Sequence, residues 1–358
     1  MDFLKSMAVE VLGGLLLAGL LALLGLLWRR RRWERAEEEM APGFEPRPLR
    51  VLVAASRPWD VEPWLDTEAE WKALCAALQP GAGTEPVPIR MEFLPAATPR
   101  ALQAALQQGC DVLHFIGHGT AQGALVLEDD YGLAQWMDAG RFLRLLPADR
   151  KYRPCLVVLS ACHSESVGAV LRKAGVDHVV AVDRAMPIPD RAAAAYAAAF
   201  YRALARGGRL DHAHRDGQNA AGLDKYTGDR SPLVDGPPVS ERFRLLTRYG
   251  RARLARGRRG EFVCLRPQVA GQEFPRPRVP SLVGRARDLA AVTARLAQSR
   301  LVTVHGLGGV GKTALARVLG RRLWETARFP GGLAWVGLEG RDGPMGLLEA
   351  LRITLAPD

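Results

Sequence analysis

The sequence predicts an α/β protein built mainly on a mostly parallel sheet with helices on both faces. Three observations predict it. From Leu49 onward, short apolar runs alternate with helix-length stretches that carry helix start and stop residues. Two of the runs, Leu113–Ile116 and Val157–Ser160, are apolar enough to be buried on both faces, as strands of a parallel sheet are. A further apolar run, Leu301–His305, enters a glycine-rich loop and another helix-length stretch. A chain of 358 residues is long enough for two such units, each with its own core.

In chain order, Val11–Trp28 has no charged residue and is rich in Leu, Ala and Gly, at the short end of a membrane span. It runs into Trp28, Arg29–Arg32 and Trp33 and not into a small-residue cleavage site, so residues 1–33 are expected to be a transmembrane anchor and its basic flank. The N-terminal flank, with Asp2, Lys5 and Glu10, is close to neutral. The arginines after Trp28 therefore predict a single-pass protein of the cell membrane with the bulk of the chain cytoplasmic. Residues 34–48, charged and then Pro-rich, read as a linker.

The sheet-forming region then reads as strand Leu49–Ala55, helix Thr67–Leu78 stopped by Pro80-Gly81, strand Ile89–Leu94 and helix Pro99–Gln108 with Gly109 past its end. Strand Asp111–Ile116 follows, then a short strand Leu125–Glu128, a helix Trp136–Leu146 and strand Cys155–Ser160. Helix Ser166–Ala174 stops at Gly175. Strand His178–Val182 and the Ala-rich helix Asp190–Arg206, ended by Gly207-Gly208, complete the alternation. Arg209–Gly260 carries too weak a pattern for assignment. Residues 267–280, with Pro275, Pro277 and Pro280, read as an interdomain linker, and no repeats occur at solenoid periods.

The net charge of +11 comes almost wholly from scattered arginines, apart from Arg29–Arg32 and the Arg251–Arg259 stretch. Scatter of that kind follows codon usage more than a binding face, so no nucleic-acid partner is expected. The five cysteines, Cys75, Cys110, Cys155, Cys162 and Cys264, are an odd number without paired spacing; neither a disulfide framework nor a zinc site is expected, and free thiols suit a reducing compartment.

The chemistry lies at the ends of two strands. Leu113–Ile116 stops at Gly117-His118-Gly119, and Val157–Leu159 at Ser160-Ala161-Cys162-His163. In open α/β sheets, ligands bind beyond the carboxyl ends of the strands, so these two runs deliver a thiol and an imidazole to one crevice. The thiol is a weak nucleophile until a base accepts its proton, and an imidazole can do so and later protonate a leaving amine. His163, next to Cys162, is a rival base, but adjacent residues of an extended chain point to opposite sides. His114 and His118 share His-x-x-x-His spacing, yet His114 lies inside a strand, so a metal is not expected.

His118-Gly119 and Ser160-Ala161-Cys162, in that order and at those strand ends, resemble the CHAT family, caspase-like cysteine peptidases of clan CD. The resemblance covers Leu49–Arg206 and includes Gly123–Leu127, Gly175–Val182, and Pro189-Asp190 leading to Phe200-Tyr201 and Gly207. It implies a caspase-like sheet over 49–266, Cys162 as nucleophile, His118 as acid/base, and an oxyanion hole from the backbone N–H groups of Gly119 and Cys162. It implies a protein or peptide substrate and no cofactor for the peptidase.

Residues 281–358 carry the second motif. Gly306-Leu307-Gly308-Gly309-Val310-Gly311-Lys312-Thr313 satisfies the phosphate-loop pattern, after an expected strand Leu301–His305 and before an expected helix Ala314–Trp324. Gly306, Gly308, Gly309 and Gly311 would let backbone N–H groups wrap the phosphates of ATP or ADP. Lys312 would reach the β- and γ-phosphates, and Thr313 would ligate Mg. Leu282-Val283-Gly284-Arg285 upstream, and a second strand expected over Phe329–Leu338, resemble the entry of STAND-type NTPases of the NB-ARC kind. That family places its Walker B acid, sensor arginine and lid further downstream than Asp358. The unit is therefore expected to be the N-terminal part of such a P-loop domain, with weak binding, no hydrolysis by this chain, and self-assembly through the module. The reading is a membrane-anchored, nucleotide-controlled cysteine endopeptidase; the alternative is a non-proteolytic adaptor in a signalling or defence complex.

Overall fold

The structure, a computed structural model, describes residues 48–79, 89–224, 229, 236–247, 250, 252, 254, 263–266, 274–275, 282–337, 340 and 343–355. The expected anchor and nearly all of the 34–48 linker lie outside them. Among the described residues no helix is long and apolar enough to cross a membrane.

The described residues between Leu49 and Leu265 form a seven-stranded sheet: β1 (Leu49–Ala55), β2 (Ile89–Leu94), β3 (Val112–Ile116), β6 (Leu156–Ser160), β7 (His178–Val182), β8 (Phe243–Thr247) and β9 (Val263–Leu265). Their order is β8-β7-β6-β3-β1-β2-β9, parallel throughout except for β8, which runs antiparallel to β7. The mostly parallel sheet is as expected. The chain steps from β1 to β2 on one side and then to β3 on the other, which makes the carboxyl ends of β1 and β3 a topological switch point.

Strand alternation feeds two cores. Val51, Val53 and Ala55 face α1 (Thr67–Leu78), α5 (Asp190–Ala205) and α6 (Leu210–Leu223). Leu52 and Ala54 face α2 (Pro99–Gln107), α3 (Ala139–Leu143) and α4 (Glu165–Lys173). Each fully buried Leu, Val or Phe contributes about 1.5–3 kcal/mol of transfer free energy. Side-chain caps start the helices where the sequence places them: Asp66 Oδ1 accepts from Ala69 N (2.9 Å) and Thr98 Oγ1 from Ala101 N (3.1 Å).

Four expectations are corrected. The helix read over Trp136–Leu146 begins as a strand: β5 (Ala134–Asp138) pairs antiparallel with β4 (Ala124–Glu128), and only Ala139–Leu143 is helical. Trp136 is exposed while Met137 is buried, an alternation that the hairpin imposes. Within Arg209–Gly260, left unassigned above, lie α6, a 3₁₀ turn Val239–Arg242 and β8. The runs Leu301–His305 and Phe329–Leu338 are not strands where described; Leu301 is exposed and no neighbouring strand pairs with either. A strand needs such a ladder to satisfy its backbone. Finally, Cys75 is disulfide-bonded, while Cys110, Cys155 and Cys162 are free.

The C-terminal region contributes α7 (Ala286–Gln298), α8 (Lys312–Glu325) and α9 (Gly343–Leu355). Leu315, Val318, Leu319 and Leu323 of α8 bury against Trp59 and Leu289. Phe274, in the described part of the expected linker, is buried beside α8: a Cβ on Gly320 would stand 2.3 Å from its ring, and Arg321 Nη1 donates to its carbonyl at 3.0 Å.

Candidate active site

The ends of β3 and β6 are locked together before the reactive residues appear. Ile116 pairs with Ser160 in parallel register, and Gly117 N donates to Ser160 O at 3.2 Å. His118 follows, its carbonyl accepting from Val126 N at 3.0 Å, while Thr120 N donates to Ala124 O at 2.9 Å. These two bonds flank an antiparallel bridge between Gly119 and Leu125, so the N–H of Gly119 itself points away from β4. Gly119 is pressed onto the next strand's turn: a Cβ there would stand 1.9 Å from the carbonyl oxygen of Cys162. Only glycine permits that approach. Among the described residues, neither the Gly119 nor the Cys162 N–H donates to another residue's backbone.

Cys162 lies in the turn between β6 and α4. Ile188 N donates to its sulfur at 3.4 Å, and the thiol faces Ile188 O at 3.8 Å. Burial raises the thiol above its ordinary range; the Ile188 N–H opposes this and the Asp190 carboxylate reinforces it. Burial lowers the His118 imidazole, opposed by a hydrogen bond to the Pro63 backbone. The resting pair is therefore a thiol and a neutral imidazole. The other two free thiols are set apart: burial and Asp111 push both Cys110 and Cys155 up to about 12.

His118 and Cys162 line one small pocket of about 40 Å³, with Asp66, Glu70, Ser160 and Asp190 in its wall. The rival base is directed elsewhere. His163 adopts a left-handed backbone conformation (φ 57°), and its Nδ1 meets Arg184 O at 2.7 Å. His114 is fully buried between Glu70 and Tyr201, and no metal-ligating cluster occurs among the described residues. Sequence reasoning missed Glu70, Ile188 and Asp190, which line the pocket, and Pro63, whose backbone meets His118; all come from segments distant in sequence. Only Asp190, directly after Pro189 at a helix start, carried any local signal.

A family model for the CHAT domain matches residues 29–228. The chain belongs to the CHAT family. The match takes in β1 to β7 and both pocket residues, His118 and Cys162. A curated CHAT relative, a Roc-COR-CHAT protease from an unknown prokaryotic organism, is 32% identical over 124 residues, 33% of this chain and 11% of the relative. This chain thus spans about a tenth of that relative's length. Two solved structures of the pyridoxal kinase from Staphylococcus aureus, with pyridoxal and with AMP-PCP, align at 13% and 14% identity over 56% of this chain and 98% of theirs. Their TM-scores of 0.27 and 0.28 carry no argument about this CHAT chain.

Beyond the CHAT match, the glycine-rich loop opens a helix as expected, although no strand leads into it. Gly306, Gly309 and Gly311 have positive φ (155°, 76° and 96°), and a Cβ on Gly308, Gly309 or Gly311 would meet nothing within 4 Å. Lys312 Nζ is turned into the loop, donating to Gly306 O and Leu307 O at 2.9 Å each. Thr313 follows in the first turn of α8. An open loop with its amine inside and a helix N-terminus behind fits a nucleotide's phosphates.

The far end of α8 meets the CHAT body. Arg322 pairs with Glu128 of β4 in a buried contact, and Glu325 pairs with Arg57 at 2.8 Å. Arg57 N also donates to Glu128 Oε1 at 2.8 Å. Arg57 begins the β1–α1 segment that carries Pro63 beside His118 and Leu65 and Asp66 in the pocket wall.

Proposed function

We propose that the chain is a caspase-like cysteine endopeptidase in which His118 and Cys162 form the catalytic dyad. The observation that carries this is their meeting on one pocket beyond the paired carboxyl ends of β3 and β6, with Gly119 seated on the Cys162 carbonyl. That the Roc-COR-CHAT relative is a protease supports the same reading.

In the reaction, the thiol proton of Cys162 passes to the His118 imidazole as the sulfur adds to the substrate carbonyl carbon. The resulting oxyanion would lie against the N–H groups of Gly119 and Cys162, neither of which donates to another residue's backbone among the described residues. The C–N bond breaks, the imidazolium gives its proton to the departing amine, and a thioester remains on Cys162. A water, deprotonated by His118, then hydrolyses the thioester and restores the thiol. A neutral imidazole at rest suits the first step, because it is free to accept the proton.

The anchor at residues 1–33 would hold the peptidase at the membrane with the body cytoplasmic. Residues 281–358 would place it under nucleotide control: Gly306, Gly308, Gly309, Gly311 and Lys312 would hold the phosphates and Thr313 the Mg. Bound nucleotide would supply charge at the N-terminus of α8. The helix spans from that loop to Glu128 of β4 and to Arg57 of the β1–α1 segment, which carries Leu65 and Asp66 into the pocket wall.

Incubating the full chain with a random peptide library and sequencing the products tests the dyad. Cleavage by the wild type and none by Cys162→Ala is expected. A chain that cuts nothing but self-associates supports the adaptor reading instead. ATP or ADP titration, with Lys312→Ala as control, tests the loop; weak binding lost in the variant is expected, and tight binding indifferent to it refutes the assignment.

A further inference from the structure

Beneath the pocket lies a buried polar chain that the proposed reaction does not use. Glu70 of α1, nearly inaccessible to solvent, receives contacts at both carboxylate oxygens. Its Oε1 is 3.0 Å from His114 Nε2, and Ser160 Oγ donates to its Oε2 at 3.2 Å. His114 Nδ1 is in turn 3.1 Å from the Tyr201 hydroxyl of α5.

One arrangement of protons satisfies every atom without a proton on Glu70. The carboxylate accepts from both His114 Nε2–H and Ser160 Oγ–H, and Tyr201 donates to His114 Nδ1. The chain then carries one buried negative charge.

The positions of its members matter. His114 stands four residues before His118 on β3, and Ser160 two residues before Cys162 on β6, with His114 paired to Val158 and Ile116 to Ser160. Glu70 therefore bridges from α1 to the two strands that present the dyad, and it forms part of the wall of the dyad's pocket.

We propose that Glu70 is a positioning residue of the active site: it holds β3 through His114 and the end of β6 through Ser160, and its charge stands in the wall of the pocket that His118 and Cys162 line. This rests on the dyad reading above. A purely structural residue would need only to satisfy its neighbours' hydrogen bonds. A charge in the pocket wall acts on both titrating members, favouring protonation of each.

The other groups around the pocket are accounted for. Asp66, at the start of α1, caps that helix through Oδ1, and Asp190 opens α5 with its carboxyl raised chiefly by burial, opposed by a hydrogen bond from the Asp66 backbone and reinforced by the Glu70 and Asp66 charges. Arg242, from the 3₁₀ turn, lowers the Cys162 thiol, and its guanidinium is fixed on Pro187 O and Pro237 O. None of these bridges the two strands.

The test is Glu70→Gln in the full chain. The amide accepts from His114 and donates to Ser160 Oγ, so the hydrogen bonds persist while the charge goes. Two readouts are measured against pH: iodoacetamide alkylation of Cys162, followed by peptide mapping, and peptide turnover. Both the alkylation limb and the acid limb of turnover are expected to move to lower pH by about half a unit or more, with turnover reduced about tenfold. Limbs that stay in place while only the melting temperature falls overturn the proposal. Ser160→Ala, a smaller change that keeps the carboxylate, separates the two roles: turnover should fall with both limbs unmoved, and unchanged turnover overturns the positioning role. Alkylation needs no peptidase activity. A wild type that cuts no peptide, yet whose Cys162 limb moves in Glu70→Gln, overturns the peptidase reading and supports the charge of Glu70.

Discussion

The backbone of Gly119 is seated on the carbonyl of Cys162, so closely that a Cβ would stand 1.9 Å from that oxygen. The contact joins the loop after β3 to the turn after β6. Gly119→Ala is therefore expected to displace the loop and lower turnover by about a hundredfold or more, the scale of losing an oxyanion donor. Its circular dichroism should remain native. An alanine variant of unaltered turnover would show that the loop does not set the site.

The titration of the dyad gives a second expectation. The thiol is raised and the imidazole lowered, so at neutral pH the pair is uncharged. Iodoacetamide should modify Cys162 slowly at pH 7 and faster as the pH climbs past the ordinary thiol range of about 8.5. Turnover should survive acidification below about pH 6.5, because the depressed imidazole keeps its base form there. Rapid alkylation at pH 6 would reveal a preformed thiolate–imidazolium pair instead. Cys110 and Cys155, both pushed up to about 12, should stay unlabelled throughout.

His214 of α6 supplies an acid sensitivity remote from the site. Burial lowers its imidazole to about 4, and its Nδ1 is 2.6 Å from the Tyr196 hydroxyl. Between about pH 6.5 and 4 the unfolded chain binds a proton that the folded chain refuses, so stability falls as pH falls through that window. The loss between pH 7 and pH 5 should be about 2 kcal/mol, read by urea unfolding. His214→Gln should remove most of that difference; an equal pH dependence in the variant would place the sensitivity elsewhere.

The contact between α8 and the CHAT body is a buried ion pair. Arg322→Ala would leave the buried Glu128 carboxylate with the Arg57 N–H and the charge of the Arg57 guanidinium nearby, but without its direct ion-pair partner. A loss of about 3–5 kcal/mol is expected in urea unfolding of the full chain. A loss below about 1 kcal/mol would mean that the pair is solvated, as surface pairs are.

How legible the fold was depended on how local its causes are. β3 and β6 were readable because strands buried on both faces are continuous apolar runs, and His118 and Cys162 were readable because they end those runs. α6 was not. It buries Ala213, Gly217 and Ala221 on one face, and a Cβ on Gly217 would strike the Tyr196 ring at 2.8 Å. Small residues chosen for close packing leave no hydrophobic periodicity to find. β5 depends on its pairing with β4, and Leu301–His305, though apolar, has no strand beside it among the described residues. The Glu70 chain joins residues 70, 114, 160 and 201, which only the folded sheet brings together.

The central claim is that Cys162, assisted by His118, is the nucleophile. The direct measurement is the intact mass of the full chain, with peptide mapping, after reaction with a peptidyl acyloxymethyl ketone. One adduct on Cys162 is predicted for the wild type, none for Cys162→Ala, and labelling slowed by about a hundredfold for His118→Ala. An adduct of equal yield in Cys162→Ala would contradict the account.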